Sequence, residues 1–391
     1  MKKVVRGFYA IAEAVRLSKP NVIAAYPITP QTEIVENLAE MYANGELGDA
    51  EYVTAESEFG AASMVLGASA AGARAFTATS SQGLLLMTEV LYNAAGMRLP
   101  IVLVVANRSV SAPLSIWNDI QDSISVRDAG IIQLYVESNQ EAHDMVPLAF
   151  KVAENRDVLL PFMICVDGFK LTHAYEPVDL LDQETVDRFL PPYEPVVKLD
   201  VSNPVAMGCY APPPYYMEFR VAMEYAMDRA SGVMLEEFES WYRFTGRDWG
   251  GHVVAENCQD AEVIIVAMGS VVALVREVVN RMRENGRKVG LLKIRTYRPF
   301  PSEDVREALE NAEKVIVIER ALSIGAEPPV TVDVKSAIFG LDTEVYPVVT
   351  GLGGRDIPRE LVEKIINDVI EGKVKPEKRF EGLNEFEEVI P

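Results

Sequence analysis

Several short stretches of this 391-residue chain are apolar or β-branched almost throughout and then stop abruptly: Val22 into Pro27, Ala73 to Thr79, Ile101 to Ala106 and Val263 to Ala267. Strands that are apolar at nearly every position, rather than at every second one, belong in parallel sheets covered by helices on both faces. The segments between them read as helices, so the chain predicts repeated strand–helix units and a doubly wound α/β architecture. Sheets of this kind bind ligands outside the carboxyl ends of their strands. Residues just past those ends are therefore the first candidates for function.

The first strand stops at Pro27-Ile28-Thr29-Pro30 and opens a helix for which Thr29 or Thr32 is the expected cap. The second runs into Ser80-Ser81-Gln82-Gly83 before a helix over Leu84 to Gly96, and the third into Asn107-Arg108-Ser109. If the three are parallel neighbours, Thr29, Ser80-Ser81-Gln82 and Arg108 share one rim. Between the first and second lies Glu56-Ser57-Glu58-Phe59-Gly60-Ala61-Ala62, which places two carboxylates ahead of a run of small residues ending at Gly72. Small residues let another backbone approach closely, so an acid at the head of this helix can be buried and aimed. Taken alone, such an acid usually does no more than stabilise a helix end, by about 0.3–1 kcal/mol. Arg108 alone reads as a salt bridge to Asp119 or Asp122, and Thr29 as a simple N-cap.

The segments AAYPITPQTEIVE, ESEFGAASMVLGASAAGARAFTATSSQGLLLM, AGMRLPIVLVVANR and PLSIWNDIQD occur in this order over roughly Val22 to Asp128. They closely resemble the alpha subunit of pyruvate:ferredoxin oxidoreductase (pyruvate synthase) and its 2-oxoacid:ferredoxin oxidoreductase relatives, with weaker similarity through the rest of the chain. The resemblance implies that the N-terminal domain binds the aminopyrimidine ring of thiamine diphosphate. In the family a glutamate hydrogen-bonds the pyrimidine N1′ and favours its imino tautomer, and that position here is Glu58, not Glu56. Thr29 matches the threonine near cofactor and substrate, and Pro27 the wall of the same pocket. Arg108 matches an arginine that clamps the carboxylate of the 2-oxo acid, a task suited to paired guanidinium N–H donors. The Pro113–Asp122 segment is expected near the site in a supporting role, as a capped helix start with Trp117 anchoring its loop to the core.

Residue patterning sets the divisions of the whole chain and the resemblance supplies the identities of its two α/β domains. The expected parts are a doubly wound domain over 1–190, pyrimidine-binding by the resemblance, a proline-rich bridge and spacer helix over 191–257, an α/β domain over 258–371 that resembles the transketolase C-terminal domain, and a charged tail over 372–391. The tail is expected to pack on a partner or fray. The Met, Phe and Tyr stripe of the spacer helix reads as core or subunit contact, and Met268-Gly269-Ser270 as a tight turn.

Missing motifs complete the expectation. No G-D-G followed by paired asparagines is present, and the nearest string, Val166-Asp167-Gly168-Phe169, reads as a strand-end turn. The magnesium and diphosphate site is therefore expected on a thiamine-diphosphate-binding beta subunit. Cys165, Cys209 and Cys258 lack C-x-x-C spacing, so 4Fe-4S clusters are expected on further gamma and ferredoxin-like subunits. His143, His173 and His252 are far apart in sequence, and no metal site is expected on this chain. Pyruvate, coenzyme A and ferredoxin would then act through the complex. Alternatives are a subunit acting on 2-oxoisovalerate or another 2-oxo acid, or a non-catalytic scaffold carrying a vestigial thiamine domain.

Composition narrows the partners. With 37 basic and 58 acidic residues the formal charge is −21, which argues against nucleic acid, anionic membranes or an acidic ferredoxin docking on this chain. No apolar run approaches the roughly 18 residues of a membrane span, and the opening Met1-Lys2-Lys3-Val4-Val5-Arg6 does not read as a signal peptide. Sparse, unpaired cysteines fit a reducing compartment, so a cytoplasmic location is expected.

Overall fold

The structure is a computed structural model that describes residues 2–384. Its first sheet has seven strands in the order Glu51–Thr54, Val22–Ala25, Ala75–Thr79, Ile101–Asn107, Phe162–Asp167, Ile132–Tyr135 and Thr296–Arg298. The first six are parallel and the last is antiparallel. The three rim-forming strands are thus neighbours, as their apolar patterning predicts. Val22–Ala25 lies between its two successors in sequence, so the winding direction reverses between it and Ala75–Thr79. The carboxyl-end crevice at such a reversal is where open α/β sheets hold ligands.

Helix composition follows from this layering. The Glu58–Ala70 helix buries Ala61, Ala62, Val65 and Ala70, and Ser57 caps it by accepting from the Gly60 N–H at 3.0 Å. The cap expected at Thr29 or Thr32 does not form. The Thr32–Ala43 helix follows Gln31, whose backbone is already helical, and the N–H groups of Gln31 and Thr32 donate to the Ile28 carbonyl instead. Gln31 also ties this loop to the neighbouring strand, its Nε2 donating to the Ala78 carbonyl at 2.9 Å while its Oε1 accepts from the Ile28 N–H.

A second sheet of six strands runs Arg379–Phe380, Glu344–Val349, Lys314–Glu319, Val263–Ala267, Val289–Ile294 and Val253–Glu256, parallel except for the last. The charged tail departs from expectation here. Arg379–Phe380 pairs with Glu344–Val349, and Lys364 reaches the Glu381 carboxylate at 3.3 Å. The segment therefore packs on its own chain, and residues 385–391 of the expected tail lie outside the described residues. Of the spacer helix, Pro213–Thr245, the residues Met223, Ala226, Ala230, Met234, Phe238 and Trp241 join the first core.

The two sheets are bound by more than a linker. Strand Thr296–Arg298 pairs with Ile132–Tyr135, and one apolar cluster runs from Leu84 and Tyr135 through Ile264 and Val317. Beside it the fully buried Glu141 accepts from Lys293 Nζ at 2.8 Å and Arg295 Nε at 2.6 Å, both cations being themselves buried. Burial pushes the Glu141 carboxyl up, but the two cations outweigh it and hold it at about 2. A second tie is Asp167, which accepts from Arg320 Nη1 at 2.7 Å, Asn118 Nδ2 at 3.0 Å and Ser270 N–H at 2.7 Å. The Asp167-Gly168 turn and the Met268-Gly269-Ser270 turn thus meet. No helix among the described residues is long and apolar enough to cross a membrane.

Candidate active site

Three loops converge at the reversal point. Glu58 is the first residue of its helix and only 8% exposed, whereas Glu56 is exposed. It faces the first turn of the Ser81–Gly96 helix at Gly83: a Cβ there would lie 2.7 Å from Glu58 Oε1 and 2.6 Å from Thr79 Oγ1. Glycine is what lets the two helices close over the carboxyl group. Among the described residues no hydrogen bond or ion pair ends on the Glu58 carboxylate. Its surroundings hold other unmatched polar atoms: Thr79 Oγ1 and Gln82 Nε2 are buried without partners. Burying polar groups unpaired costs about 1–3 kcal/mol each, so a cluster of them marks a place built for a hydrogen-bonding ligand.

Arg108 is buried but not in the way its sequence neighbours indicate. Its guanidinium forms no salt bridge to Asp119 or Asp122; Nη1 donates to the Thr29 carbonyl at 2.9 Å and Nε to the Ser115 carbonyl at 3.0 Å. Nη2 has no partner among the described residues. Burial lowers the guanidinium's proton affinity, partly opposed by the nearby Asp122 charge. Thr29 is exposed and enters through its main chain, and Pro27 is exposed on the same loop. The structure thus joins Thr29 to Arg108 directly, and Glu58 packs against Gly83 and Thr79 at the end of the strand that lies between theirs.

The 113–122 segment divides in two. Leu114, Ile116 and Trp117 are exposed, so Trp117 does not anchor the loop in the core; its ring packs at a tilt against Phe169, centroids 4.7 Å apart, and it lies against Gly354, which has no room for a Cβ. Asn118 through Gln121 are instead gripped by the second sheet's loops, with Gly353 N–H donating to Asp119 and Leu322 N–H to Gln121. Asp122 is fully buried under the rim, where burial pushes its carboxyl up to about 7 against the pull of its N–H donors. Gln31 carries no sequence signal of its own, and Asp122 stands out only as a salt-bridge candidate for Arg108; Gly83 has a faint signal, a glycine inside a helix turn where alanine is the better helix former.

Gly83→Ala is expected to push the Glu58 side chain out of its niche. Turnover should then fall by about 10²-fold, as small misplacements of catalytic groups do, with a much smaller change in the thermal unfolding midpoint. Parallel kinetics and calorimetry check both.

Elsewhere, Cys165 and Cys258 are buried, and burial pushes the Cys258 thiol up to about 11. No group of three or more His, Cys, Asp or Glu among the described residues is arranged to hold a metal ion.

Residues 13–239 match the family model described as pyruvate flavodoxin/ferredoxin oxidoreductase, thiamine diphosphate-binding, and residues 261–362 match pyruvate:ferredoxin oxidoreductase core domain II. The chain is 50% identical, over 93% of its own length and 94% of the relative's, to pyruvate synthase subunit PorA of Methanothermobacter thermautotrophicus. It is 47% identical, over 98% and 96%, to the subunit of the same name in Methanosarcina barkeri. Ketoisovalerate oxidoreductase subunit VorA of Pyrococcus horikoshii is 44% identical, over 94% of each chain. Among solved structures, 2-oxoglutarate:ferredoxin oxidoreductase from Magnetococcus marinus, with 2-oxoglutarate, coenzyme A and succinyl-CoA bound, superposes with a TM-score of 0.73 at 20% identity. That similarity of fold covers 94% of this chain and 65% of the other.

Proposed function

Because the chain belongs to the pyruvate flavodoxin/ferredoxin oxidoreductase family, we propose that it is the alpha subunit of a thiamine-diphosphate-dependent pyruvate:ferredoxin oxidoreductase. The reaction converts pyruvate and coenzyme A to acetyl-CoA and CO2 and passes the electrons to ferredoxin. The observation that carries the reading is the Glu58 carboxylate, buried and unpartnered among orphaned polar groups at the reversal point of the sheet.

The residues present fit the pyrimidine half of thiamine diphosphate. Glu58 would hold its N1′, with Thr29 and Pro27 lining the pocket. When bound, the cofactor supplies a carbon nucleophile toward the keto group of the substrate. Glu58 holds and exchanges the proton at N1′, and its burial keeps water from competing for it. Arg108, immobilised by two carbonyls, presents Nη2 and its remaining N–H groups to the substrate carboxylate, so the keto group arrives in one orientation. Magnesium, diphosphate contacts and 4Fe-4S clusters are assigned to beta, gamma and ferredoxin-like partner subunits of a cytoplasmic complex.

Pyruvate is favoured over 2-oxoisovalerate because relatives named for pyruvate reach 50% identity and those named for ketoisovalerate 44%. A methyl and an isopropyl group differ by only about 1–3 kcal/mol in a pocket, so the choice needs a direct assay. The complex, purified anaerobically with its accompanying subunits, is assayed for coenzyme A-dependent viologen reduction with pyruvate, 2-oxoisovalerate and 2-oxoglutarate. Preference for pyruvate is the expected result. Preference for 2-oxoisovalerate would reassign the substrate, and silence with all three, in a complex retaining thiamine diphosphate and its clusters, would leave a scaffold.

A further inference from the structure

Ser81 and Arg108 follow neighbouring strands, and both lean on one carboxylate. Asp122 Oδ2 accepts from Ser81 N–H at 2.9 Å and Arg108 N–H at 3.0 Å, while Oδ1 accepts from Asn107 Nδ2 and Ser123 N–H, each at 2.8 Å. Ser81 has φ of +50°, a left-handed conformation that a non-glycine residue keeps only when its surroundings enforce it. Two residues beyond it is Gly83, against which Glu58 rests. On the other side, the main chain held by Asp122 is that of the residue whose guanidinium reaches the Thr29 carbonyl.

We propose that Asp122 is the positioning residue of this site: a buried acceptor that locks the Ser81 turn to Arg108, and so sets Glu58 and the Arg108 guanidinium at a fixed separation. The proposal rests on the reading of the site given above. Asp122 is fully buried with both carboxylate oxygens engaged by protein donors, so its influence on the site runs through Ser81 and Arg108. Its full burial and four N–H donors exceed what holding a short helix start requires, because only Ser123 among the donors belongs to its own segment. The other ties across the rim, Ser80 Oγ to the Ala106 carbonyl and Ser81 Oγ to the Ser109 carbonyl, are single hydroxyl contacts that do not reach the Arg108 main chain.

The test compares Asp122→Ala with Asp122→Asn in the assembled complex, reading kcat, the KM for the 2-oxo acid and the thermal midpoint. The alanine variant leaves Ser81 and Arg108 without an acceptor and is expected to raise KM about tenfold and lower kcat/KM about 10²-fold. Asparagine keeps one oxygen for that pair, while Asn107 Oδ1, which is buried without a partner, can turn to accept from the new amide. Its KM is expected to stay near the wild-type value. If Asp122→Ala does not assemble, Asp122→Thr, which fills the space with too short an acceptor, is measured in its place with the same expectation. A folded alanine or threonine variant with unchanged KM, losing activity only as its folded fraction falls, overturns the positioning role. Glu58→Gln is run alongside: normal turnover there overturns the site reading itself, independently of Asp122.

Discussion

Glu58→Gln is expected to lower coenzyme A-dependent viologen reduction by about 10²–10⁴-fold, the range over which a positioned acid or base contributes to catalysis. The amide fills the same volume against Gly83 and Thr79, so packing is preserved. It can still reach a ring nitrogen, but it cannot exchange a proton there. Stability separates this role from a structural one. An acid that only supports its helix end would lose about 0.3–1 kcal/mol on neutralisation. A buried carboxylate without a partner is itself a burden, so the glutamine variant is expected to unfold at the same temperature or slightly higher. Near-normal turnover in the folded complex would end the assignment of Glu58, and a lowered unfolding midpoint would return it to helix capping.

The largest effect on stability is expected at the seam between the sheets. Glu141→Met leaves buried Arg295 with no carboxylate and Lys293 with only Glu137 at 3.4 Å, and should cost about 3–5 kcal/mol, the usual penalty for breaking a buried ion pair from one side. Adding Lys293→Met removes one of the two cations and should recover part of the loss; thermal or denaturant unfolding of the three proteins measures both steps. The same group sets a pH dependence. Its folded pKa, about 2, lies below the ordinary 4.5, so its stabilisation is complete above about pH 4.5 and fades as pH falls toward 2. Glu141→Met should therefore flatten the acid side of the stability profile. An unchanged acid limb would remove Glu141 from the account of acid lability.

Much of the fold was legible because its signals are local. Uninterrupted apolar strands such as Ile101–Asn107 announce a sheet covered on both sides, and a proline or a polar turn announces each end. The rim was legible for the same reason, since Thr29, Ser81 and Arg108 need only follow parallel neighbours to meet. Long-range pairings were not. Arg108 pairs with carbonyls rather than the nearby acids because its loop folds back over it, and loop paths leave no periodic trace. The cap at Thr32 failed because a backbone carbonyl, invisible in residue type, took the role. Asp122 became central only once two strands had brought Ser81 and Asn107 to it, and Arg379–Phe380 became a strand only because a neighbouring strand offered an edge.

The three residues Thr296–Arg298 close the first sheet from far downstream in the chain. A gene fragment ending anywhere before them would expose Ile132–Tyr135 as a bare edge, with its main-chain donors and acceptors free to recruit another copy. The smallest portable piece of this molecule, for fusion, expression or transfer between genomes, is therefore not the contiguous first sheet but everything through that borrowed strand.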